Sequence, residues 1–363
     1  MEDIKGTFLE INRSNFKFNL SQIYKIIGKN VEIMPVIKAN AYGTCINQNL
    51  ELISDFNIVG VAIVKEGIYL RNLGFKNQIF LLNQPLNEEI EDIIKYELTV
   101  SVASIDFLKQ LEKYDKKIKI HLELETGMGR TGINYEDLND IVKVIINNSN
   151  IIIEGVYTHL SSADSDDKYT NEQIRLFKKG VDKLRESISD IKYIHALASA
   201  GILNCNIDIS NMVRPGLLLY GHKPSSKNLK NIELKPVSKL VSKISFIKDI
   251  DKGMSLGYGR TFISDKEMKI ATVSIGYADG AKRGLSNNGK VVINGKIANI
   301  VGNVCMNSLL VDVTEIENVK VGDNVYIWDN NLITLEDVAK ECNTISYEIL
   351  STISDRVPRK YID

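Results

Sequence analysis

Lysine, arginine, histidine and serine residues stand at or near the ends of several apolar runs in this 363-residue sequence. These candidates are Lys38 in "PVIKANAYG", Arg130 after "ETGMG", His159 in "YTHL", Ser199 in "KYIHALAS" and Arg214 in "NMVRPGLLLYG". Such a set could bind a phosphate or a carboxylate, and its lysine and histidine could also transfer protons. Taken singly, each has a simpler explanation as a solvated side chain, a hydrogen-bonded histidine or part of a turn. The fold must therefore bring them together for a site to exist.

A glycine motif in the same region suggests a different chemistry. Gly127, Gly129 and Gly132 in "ETGMGRTG" form a G-x-G-x-x-G pattern between a strand-like run and a helical pattern. Glu154 closes "NIIIE" at about the spacing where a dinucleotide fold places its ribose-binding carboxylate. A nicotinamide-dinucleotide oxidoreductase is therefore one alternative, although three glycines alone are a weak signal.

Eight short apolar runs alternate with segments of helical periodicity, such as "NEEIEDIIKY" and "SIDFLKQLEKY". The eight runs are "EIMPVIK", "NIVGVAIV", "NQIFLLN", "LTVSVAS", "KIKIHLEL", "NIIIEGVYTHL", "KYIHALAS" and "NMVRPGLLLYG". Eightfold alternation of strand and helix predicts a (β/α)8 TIM-type barrel over residues 13–225. Barrel enzymes place their chemistry at the carboxyl ends of the strands, so the barrel would bring the five candidate side chains to one rim.

The chain changes character after the polar linker "HKPSSKNLKNIELK". From there it consists mostly of strand and turn patterns, with one late helix predicted at "TLEDVAKEC". We expect three parts: residues 1–12 as an N-terminal strand packed on the C-terminal domain, residues 13–235 as the barrel with its linker, and residues 236–363 as a β-rich C-terminal domain.

The barrel interpretation also explains the glycine motif. A central strand of a Rossmann sheet is apolar almost throughout, whereas "KIKIHLELE" alternates polar with apolar residues. In a barrel, one set of alternate side chains packs beneath the outer helices and the other points inward. Gly127 and Gly129 would then allow a tight loop that places Arg130 over the mouth of the barrel.

The composition limits the classes of partner. The 45 basic and 46 acidic residues give a net charge of −1, which does not favour nucleic acid or an anionic membrane. The sequence shows no signal-peptide pattern and no membrane-length apolar run, so we expect a cytoplasmic protein. Its four cysteines lie far apart without a histidine cluster, so no metal site is expected. A small neutral or zwitterionic molecule fits this charge balance.

Six motifs in order resemble the bacterial alanine racemase family, namely "PVIKANAYG", "ETGMGRTG", "YTHLSSAD", "MVRPGLLLYG", "LGYGRTF" and "IGYADG". The resemblance extends from "TFLEINRSNFKFNL" to "RVPRKY" and so covers almost the whole chain. It implies a barrel with a β-rich domain, pyridoxal 5′-phosphate attached at Lys38, and interconversion of L- and D-alanine. It also implies a homodimer with shared active sites and a supply of D-amino acids for cell-wall synthesis.

The resemblance assigns two bases, one for each face of the substrate. Lys38 would serve one face and Tyr258, supplied by the partner subunit, would serve the other. His159 would bind the phenol of Tyr258 and contact Arg214 in turn. Arg214 would face the pyridine nitrogen of the cofactor and keep it unprotonated, because a guanidinium is permanently charged.

The remaining roles are also carried over from the family. The cofactor phosphate would lie against Tyr42, Ser199, Gly216 and Leu217, where hydroxyl and backbone N–H donors suit an anion. Arg130 would hold the substrate carboxylate or the ring oxygen, and Met306 would donate its backbone N–H to the carboxylate.

The chain departs from the family pattern at several positions. Glu123 stands where many relatives carry a carbamylated lysine, so we expect its carboxylate to orient Arg130. Asp355 replaces a tyrosine that touches both the phosphate and the substrate methyl group. The other departures are Ala281, Asn303 and Asn307, near the substrate entrance. These changes leave the choice of amino acid open, so a serine or broader-specificity racemase is an alternative to a strict alanine racemase.

Two further alternatives share the barrel. A non-catalytic pyridoxal-phosphate-binding protein would explain Lys38, but such proteins lack the second domain that carries Tyr258. A decarboxylase of the same plan would need a glycine-rich phosphate loop and a C-terminal cysteine motif, and the sequence contains neither.

Overall fold

The computed structural model describes residues 5–45, 50–225 and 230–363. Contacts between Cα atoms divide these residues into two compact units. The barrel unit comprises the described parts of Asn15–Ala41 and Ile46–Lys235. The β unit comprises the described parts of Met1–Ser14, Tyr42–Cys45 and Pro236–Asp363.

Strand β1 (Phe8–Asn12) is the first described element and belongs to the β unit. The strands of the barrel unit follow as β2 (Glu32–Ile33), β3 (Ile58–Val61), β4 (Gln78–Leu81), β5 (Thr99–Val102), β6 (Ile118–Glu123), β7 (Ile151–Tyr157), β8 (Tyr193–His195) and β9 (Met212–Val213). Strands β3 to β8 form a parallel sheet in sequence order, and β2 pairs with β9. Parallel bridges between Val36 and Gly60 and between Ala198 and Arg214 join the two sheets. The predicted eight-stranded barrel is therefore confirmed.

Helical segments connect these strands. They are α1 (Arg13–Ile27), α2 (Lys38–Tyr42), α3 (Val64–Asn72), α4 (Ile90–Lys95), α5 (Ile105–Leu111), α6 (Leu138–Asn147), α7 (Asp167–Arg185) and α8 (Ser199–Asn204). Helix α7 buries an apolar face that includes Phe177, Val181 and Leu184, as an outer barrel helix should. Within the described ranges, no helix is both long enough and apolar enough to cross a membrane.

Aromatic and sulfur-containing side chains fill part of the barrel interior. The buried cluster consists of Met34, Ile58, Phe80, Tyr157, Tyr193 and Met212. His121 and His195 are also fully buried, and the His121 ring stacks on Phe80 with centroids 4.5 Å apart. The polar side of the alternating β6 run thus points inward, as the barrel interpretation requires.

The β unit is built on one long strand. Its strands are β1 together with β10 (Ser238–Ile250), β11 (Ser255–Leu256), β12 (Phe262–Ile263), β13 (Met268–Val273), β14 (Lys290–Ile293), β15 (Lys296–Asn299), β16 (Leu309–Asp312), β17 (Asn324–Trp328) and β18 (Arg359–Ile362). Strand β10 pairs antiparallel with β1 and β17 along its first half and with β13 along its second half. Strand β1 also pairs in parallel with β18. Distant segments of the sequence are thereby joined in one eight-stranded sheet.

Two helices follow β17, where the sequence predicts one. Helix α9 (Leu335–Glu341) lies in the predicted segment and begins with a capping box formed by Thr334 and Asp337. Helix α10 (Ser346–Ser351) is additional. It has only six residues, which is too short for helical periodicity to be recognised in the sequence.

Candidate active site

Lys38 lies just beyond β2, at the start of a left-handed turn. Three residues of this turn, Ala39, Asn40 and Ala41, have φ values of 53–54° and ψ values of 50–52°. A left-handed conformation costs an L-residue about 1–2 kcal/mol, so the segment is strained. Glu66 supports it, because its Oε1 accepts a hydrogen bond from the Ala39 N–H at 2.6 Å. Strain of this kind is concentrated at functional sites.

The surroundings of Lys38 favour its neutral amine. Desolvation contributes most to lowering the pKa of Lys38, and the positive charges of Arg130 and Arg214 lower it further. The carboxylate of Glu66 acts in the opposite direction and is outweighed. A lysine with a lowered pKa can act as a nucleophile or as a proton acceptor.

Arg214 is 2% exposed, and three acceptors lie within 2.9 Å of its guanidinium nitrogens. Its Nη1 donates to the carbonyl oxygen of His195 at 2.7 Å and lies 2.8 Å from Nδ1 of the same residue. Its Nη2 donates to the carbonyl oxygen of Thr158 at 2.9 Å. Burial lowers the pKa of Arg214 to about 10. The guanidinium therefore stays charged at neutral pH, in one orientation.

His159 is a neutral histidine with a defined tautomer. Its Nδ1 lies 3.5 Å from Nη2 of Arg214. Because an arginine N–H can only donate, Nδ1 is the acceptor and the ring proton resides on Nε2. Burial and the charges of Arg214 and Arg130 lower the pKa of His159 to about 3. His159 therefore offers an uncharged N–H donor at neutral pH.

Two buried histidines continue from Arg214 into the barrel interior. Nδ1 of His195 accepts from Arg214, so His195 must carry its proton on Nε2. That N–H donates to Nδ1 of His121 over 2.8 Å, which places the His121 proton on Nε2 in turn. The His121 Nε2 has no hydrogen-bond partner among the described residues. Burial lowers the pKa of both rings, to about 3 for His121, so the pair is neutral.

Ser199 and the backbone after Arg214 present donors suited to an anion. The Ser199 Oγ accepts from the N–H groups of Gly216 at 3.1 Å and Leu218 at 3.4 Å. Its lone pairs are thereby used, and its own O–H remains as a donor. The N–H of Leu217 donates to no group in the described part of the chain. The Ser199 hydroxyl and the Leu217 N–H are thus two donors close together at the rim of the barrel.

The glycine motif does not serve as a phosphate loop. Glu125 folds back so that its carboxylate accepts from the N–H groups of Gly127 and Gly129, the latter at 3.0 Å. A dinucleotide phosphate would need those same N–H groups. Glu154, the candidate ribose ligand, instead forms an ion pair with Lys119 at 2.7 Å. The dinucleotide alternative is therefore excluded by the geometry.

Glu123 lies beneath the loop that carries Arg130. Its side chain is 2% exposed, and its Oε2 accepts from the Thr131 Oγ1 at 2.8 Å. Arg130 itself is exposed, and its charge lowers the pKa of both Lys38 and His159. The carboxylate thus anchors the loop at the residue after Arg130.

The other candidate residues belong to the β unit. Tyr42 is buried there beside Tyr347, with ring centroids 6.2 Å apart. Tyr258 is 74% exposed at the tip of the β11–β12 hairpin, and Met306 is 55% exposed. Asp355 is also exposed. The barrel unit alone therefore brings together Lys38, Glu123, Arg130, His159, Ser199, Arg214, Gly216 and Leu217.

Two of the residues that depart from the family pattern have defined surroundings. Ala281 is 1% exposed and so lies in the core of its unit. With its amide oriented to accept, Asn307 binds the guanidinium of Arg356 at 3.0 and 3.3 Å. Arg356 also pairs with Asp279 at 3.0 Å. The guanidinium of Arg356, the residue after Asp355, is thus bound by an acid and an amide.

Sequence reasoning missed the residues that support the site from within. His195 stands inside the run "KYIHALAS" and His121 inside "KIKIHLEL", both treated as strand sequence. A histidine in the middle of a barrel strand is a usable signal, because an inward position has to satisfy its ring nitrogens. Glu66 gave no comparable signal, since it lies in an ordinary helical pattern.

Comparison with known proteins identifies relatives over the whole chain. Residues 11–224 match the family described as alanine racemase, N-terminal domain, and residues 237–361 match alanine racemase, C-terminal domain. The alanine racemase of Halothermothrix orenii is 40% identical over 98% of this chain and 97% of its own length. An alanine racemase of Caldanaerobacter subterraneus is 36% identical over 99% of this chain and 96% of its own length.

Solved structures give the same result. The alanine racemase of Clostridium difficile 630 superposes with a TM-score of 0.94 at 35% identity, covering 99% of this chain and 97% of that one. The alanine racemase of Bacillus anthracis with bound L-Ala-P has a TM-score of 0.92 at 30% identity, covering 100% of this chain and 96% of that one.

Proposed function

This chain belongs to the alanine racemase family and is an isomerase that uses pyridoxal 5′-phosphate, and from this premise we propose that Lys38 and Tyr258 are its two catalytic bases. Racemisation requires a proton to leave one face of the α-carbon and another to arrive on the opposite face. The observation that carries the assignment is the cluster of Lys38, a neutral His159 and a charged, buried Arg214 at one rim of the barrel.

The donor set at this rim fits the cofactor. Lys38 would hold its aldehyde carbon, the Ser199 hydroxyl and the Leu217 N–H would bind its phosphate, and Arg214 would meet its ring nitrogen. The resemblance also assigns phosphate contacts to Tyr42 and to Gly216, whose N–H donates to the Ser199 Oγ in this structure. When bound, the cofactor provides the electron sink that makes the α-proton of an amino acid acidic enough to remove.

Arg214 would control the protonation of that ring nitrogen. Its carbonyl and imidazole acceptors fix the guanidinium in place, and a pKa of about 10 keeps it charged near neutral pH. A permanent cation next to a ring nitrogen opposes protonation of that nitrogen. Less negative charge then spreads into the ring, which favours return of the proton to the α-carbon over transamination.

Tyr258 would reach the site from a second copy of the chain. A phenol has an ordinary pKa near 10 and is a poor base unless its anion is stabilised. The Nε2–H of neutral His159 would supply that stabilisation as a hydrogen-bond donor. The high exposure of Tyr258 within one chain supports its use in an assembly. We therefore propose a homodimer in which each active site takes Lys38 from one subunit and Tyr258 from the other.

Arg130 and the backbone of Met306 would hold the substrate carboxylate. Glu123 would fix the Arg130 loop through Thr131. Its carboxylate would take the role that the family resemblance assigns to a carbamylated lysine. The preferred amino acid depends on Asp355, and serine is the alternative substrate to test. A role in supplying D-alanine for cell-wall synthesis in the cytoplasm is part of the same proposal and rests on the family alone.

The proposal is tested by chiral analysis of L-alanine turnover together with the visible spectrum of the purified protein. Wild type should racemise alanine and show the near-visible band of lysine-bound pyridoxal phosphate. Lys38→Ala should lose both the band and nearly all turnover. The matched control is Lys65→Ala, an exposed lysine on α3, which should retain both. An unchanged band or normal turnover in Lys38→Ala would overturn the assignment.

A further inference from the structure

The turn that carries Tyr258 is held by a side chain from a distant part of the β unit. Tyr258 lies in the short turn between β11 and β12, where Gly257, Gly259 and Arg260 all have positive φ values, of 69°, 73° and 52°. The Asn303 Nδ2 donates to the carbonyl oxygen of Tyr258 at 2.7 Å. This bond fixes the backbone of Tyr258 itself.

A second asparagine connects the same two segments. The Asn287 Oδ1 accepts from the N–H of Gly302 at 2.7 Å, and its Nδ2 donates to the Thr261 Oγ1 at 3.0 Å. Thr261 closes the Tyr258 turn, and Gly302 directly precedes Asn303. The turn is therefore tied to residues 302–303 at both of its ends.

The two backbones approach too closely for ordinary side chains. A Cβ on Gly302 would lie 3.1 Å from the carbonyl oxygen of Leu256, and a Cβ on Gly257 would lie 3.3 Å from the backbone nitrogen of Asn303. Both glycines have positive φ values, so they also permit the required backbone conformation. The position of the Tyr258 turn thus follows the position of residues 302–303.

The same segment continues into Met306. The carbonyl oxygens of Cys305 and Met306 accept from the N–H groups of Tyr277 and Ala278, both at 3.0 Å. The Met306 backbone is therefore fixed on the 276–278 segment. Asn303 stands between this fixed point and the Tyr258 turn.

We propose that Asn303 is a positioning residue that sets the second base relative to the substrate carboxylate. This inference rests on the proposed function, in which Tyr258 takes or returns a proton and the Met306 N–H binds the carboxylate. The neutral amide of Asn303 donates to the Tyr258 backbone without adding charge to the turn. A displaced turn would move the phenol away from the α-carbon while leaving Lys38 in place.

The test uses α-deuterated L-alanine and α-deuterated D-alanine with Asn303→Ala and Asn303→Asp holoenzymes. Asparagine and aspartate have the same shape, but the aspartate cannot donate to the Tyr258 carbonyl. Both variants should lower kcat/KM by about tenfold, within the roughly hundredfold that a 1 Å misplacement can cause. The deuterium isotope effect should rise for the enantiomer that Tyr258 deprotonates and fall for the enantiomer that Lys38 deprotonates.

Asn299→Asp is the matched control, because it makes the same change at an exposed asparagine of β15. It should leave both isotope effects unchanged. If Tyr258→Phe shows the asymmetric isotope effects but the Asn303 variants lose activity symmetrically or not at all, the positioning role is overturned. If Tyr258→Phe itself shows no asymmetry, the base assignment fails first, and the role of Asn303 falls with it.

Discussion

Replacement of His195 tests how the barrel interior supports the site. The His195 ring is fully buried, accepts from Arg214 at 2.8 Å and donates to His121 at 2.8 Å. His195→Leu keeps an apolar side chain of moderate size but removes both bonds. The carbonyl oxygen of residue 195 still accepts from Arg214. The guanidinium therefore loses only the ring nitrogen of residue 195 as an acceptor.

The expected cost follows from the two groups left behind. Loss of one hydrogen bond to a charged group costs about 1.5–3 kcal/mol, and an unsatisfied buried Nδ1 on His121 costs about 1–3 kcal/mol more. The free energy of unfolding should therefore fall by roughly 2.5–6 kcal/mol. With a denaturant slope of about 3 kcal/mol per molar urea, the unfolding midpoint should move down by roughly 1–2 M.

The assay is urea unfolding of the holoenzyme, followed by the cofactor band and by far-UV circular dichroism. His195→Asn is the matched variant, because its Oδ1 can replace Nδ1 as the acceptor for Arg214. We expect His195→Asn to retain the cofactor better than His195→Leu, although its smaller side chain also destabilises the core. A midpoint for His195→Leu within 0.3 M of wild type, with an unchanged cofactor band, would refute the reasoning.

Three more expectations concern His121, Glu123 and Asp355. The pKa of His121 is about 3 in the folded chain against an ordinary 6.5, so the unfolded chain binds the proton first as the pH falls. The stability linked to His121 is therefore complete above pH 6.5 and is lost towards pH 3, by about 1.4 kcal/mol per pH unit. His121→Leu should accordingly remove about one proton from the pH dependence of the unfolding free energy between pH 4 and 6, and an unchanged slope would contradict a neutral buried ring. Added bicarbonate should not activate wild type, and Glu123→Gln should raise the KM for alanine by loosening the Arg130 loop; strong activation by bicarbonate would count against the built-in carboxylate. The ratio of the efficiency on L-serine to that on L-alanine should differ between wild type and Asp355→Tyr if Asp355 opens the methyl pocket. An equal ratio in the two proteins would mean that other side chains set specificity.

Much of the barrel was predictable because its signals are local. Each strand is a short apolar run bounded by turn residues. The eight runs follow one another along the sequence in the same order as the strands around the barrel. Lys38, His159, Ser199 and Arg214 could be predicted as site candidates because the end of a strand can be recognised in a sequence. The closure between β2 and β9 followed from the count of eight.

The interior and the β unit were less accessible for physical reasons. The left-handed turn after Lys38 contains ordinary residues, and it is stabilised by Glu66, which lies 27 residues away. The bonds between Arg214, His195 and His121 depend on which way side chains point inside a closed barrel. In the β unit, β1 pairs with β10 and β18 across more than 200 residues, and no local pattern specifies that pairing.

The bond between Asn303 and Tyr258 shows the same limitation. The sequence marks Asn303 only as a departure from the family pattern. Its role depends on a contact 45 residues away, between an amide and a backbone carbonyl. Such contacts carry no side-chain signature at the receiving end, because any residue provides a carbonyl oxygen.

The most direct test of the account mixes two inactive variants. Lys38→Ala and Tyr258→Phe chains should each be nearly inactive alone. After subunit exchange at equal amounts, half of the dimers should be mixed, and each mixed dimer should contain one intact active site. The mixture should therefore recover about one quarter of wild-type racemisation for a twofold symmetric dimer with shared sites. No recovery, in a sample where subunit exchange is demonstrated by mass-labelled chains, would contradict an active site built from Lys38 of one chain and Tyr258 of another.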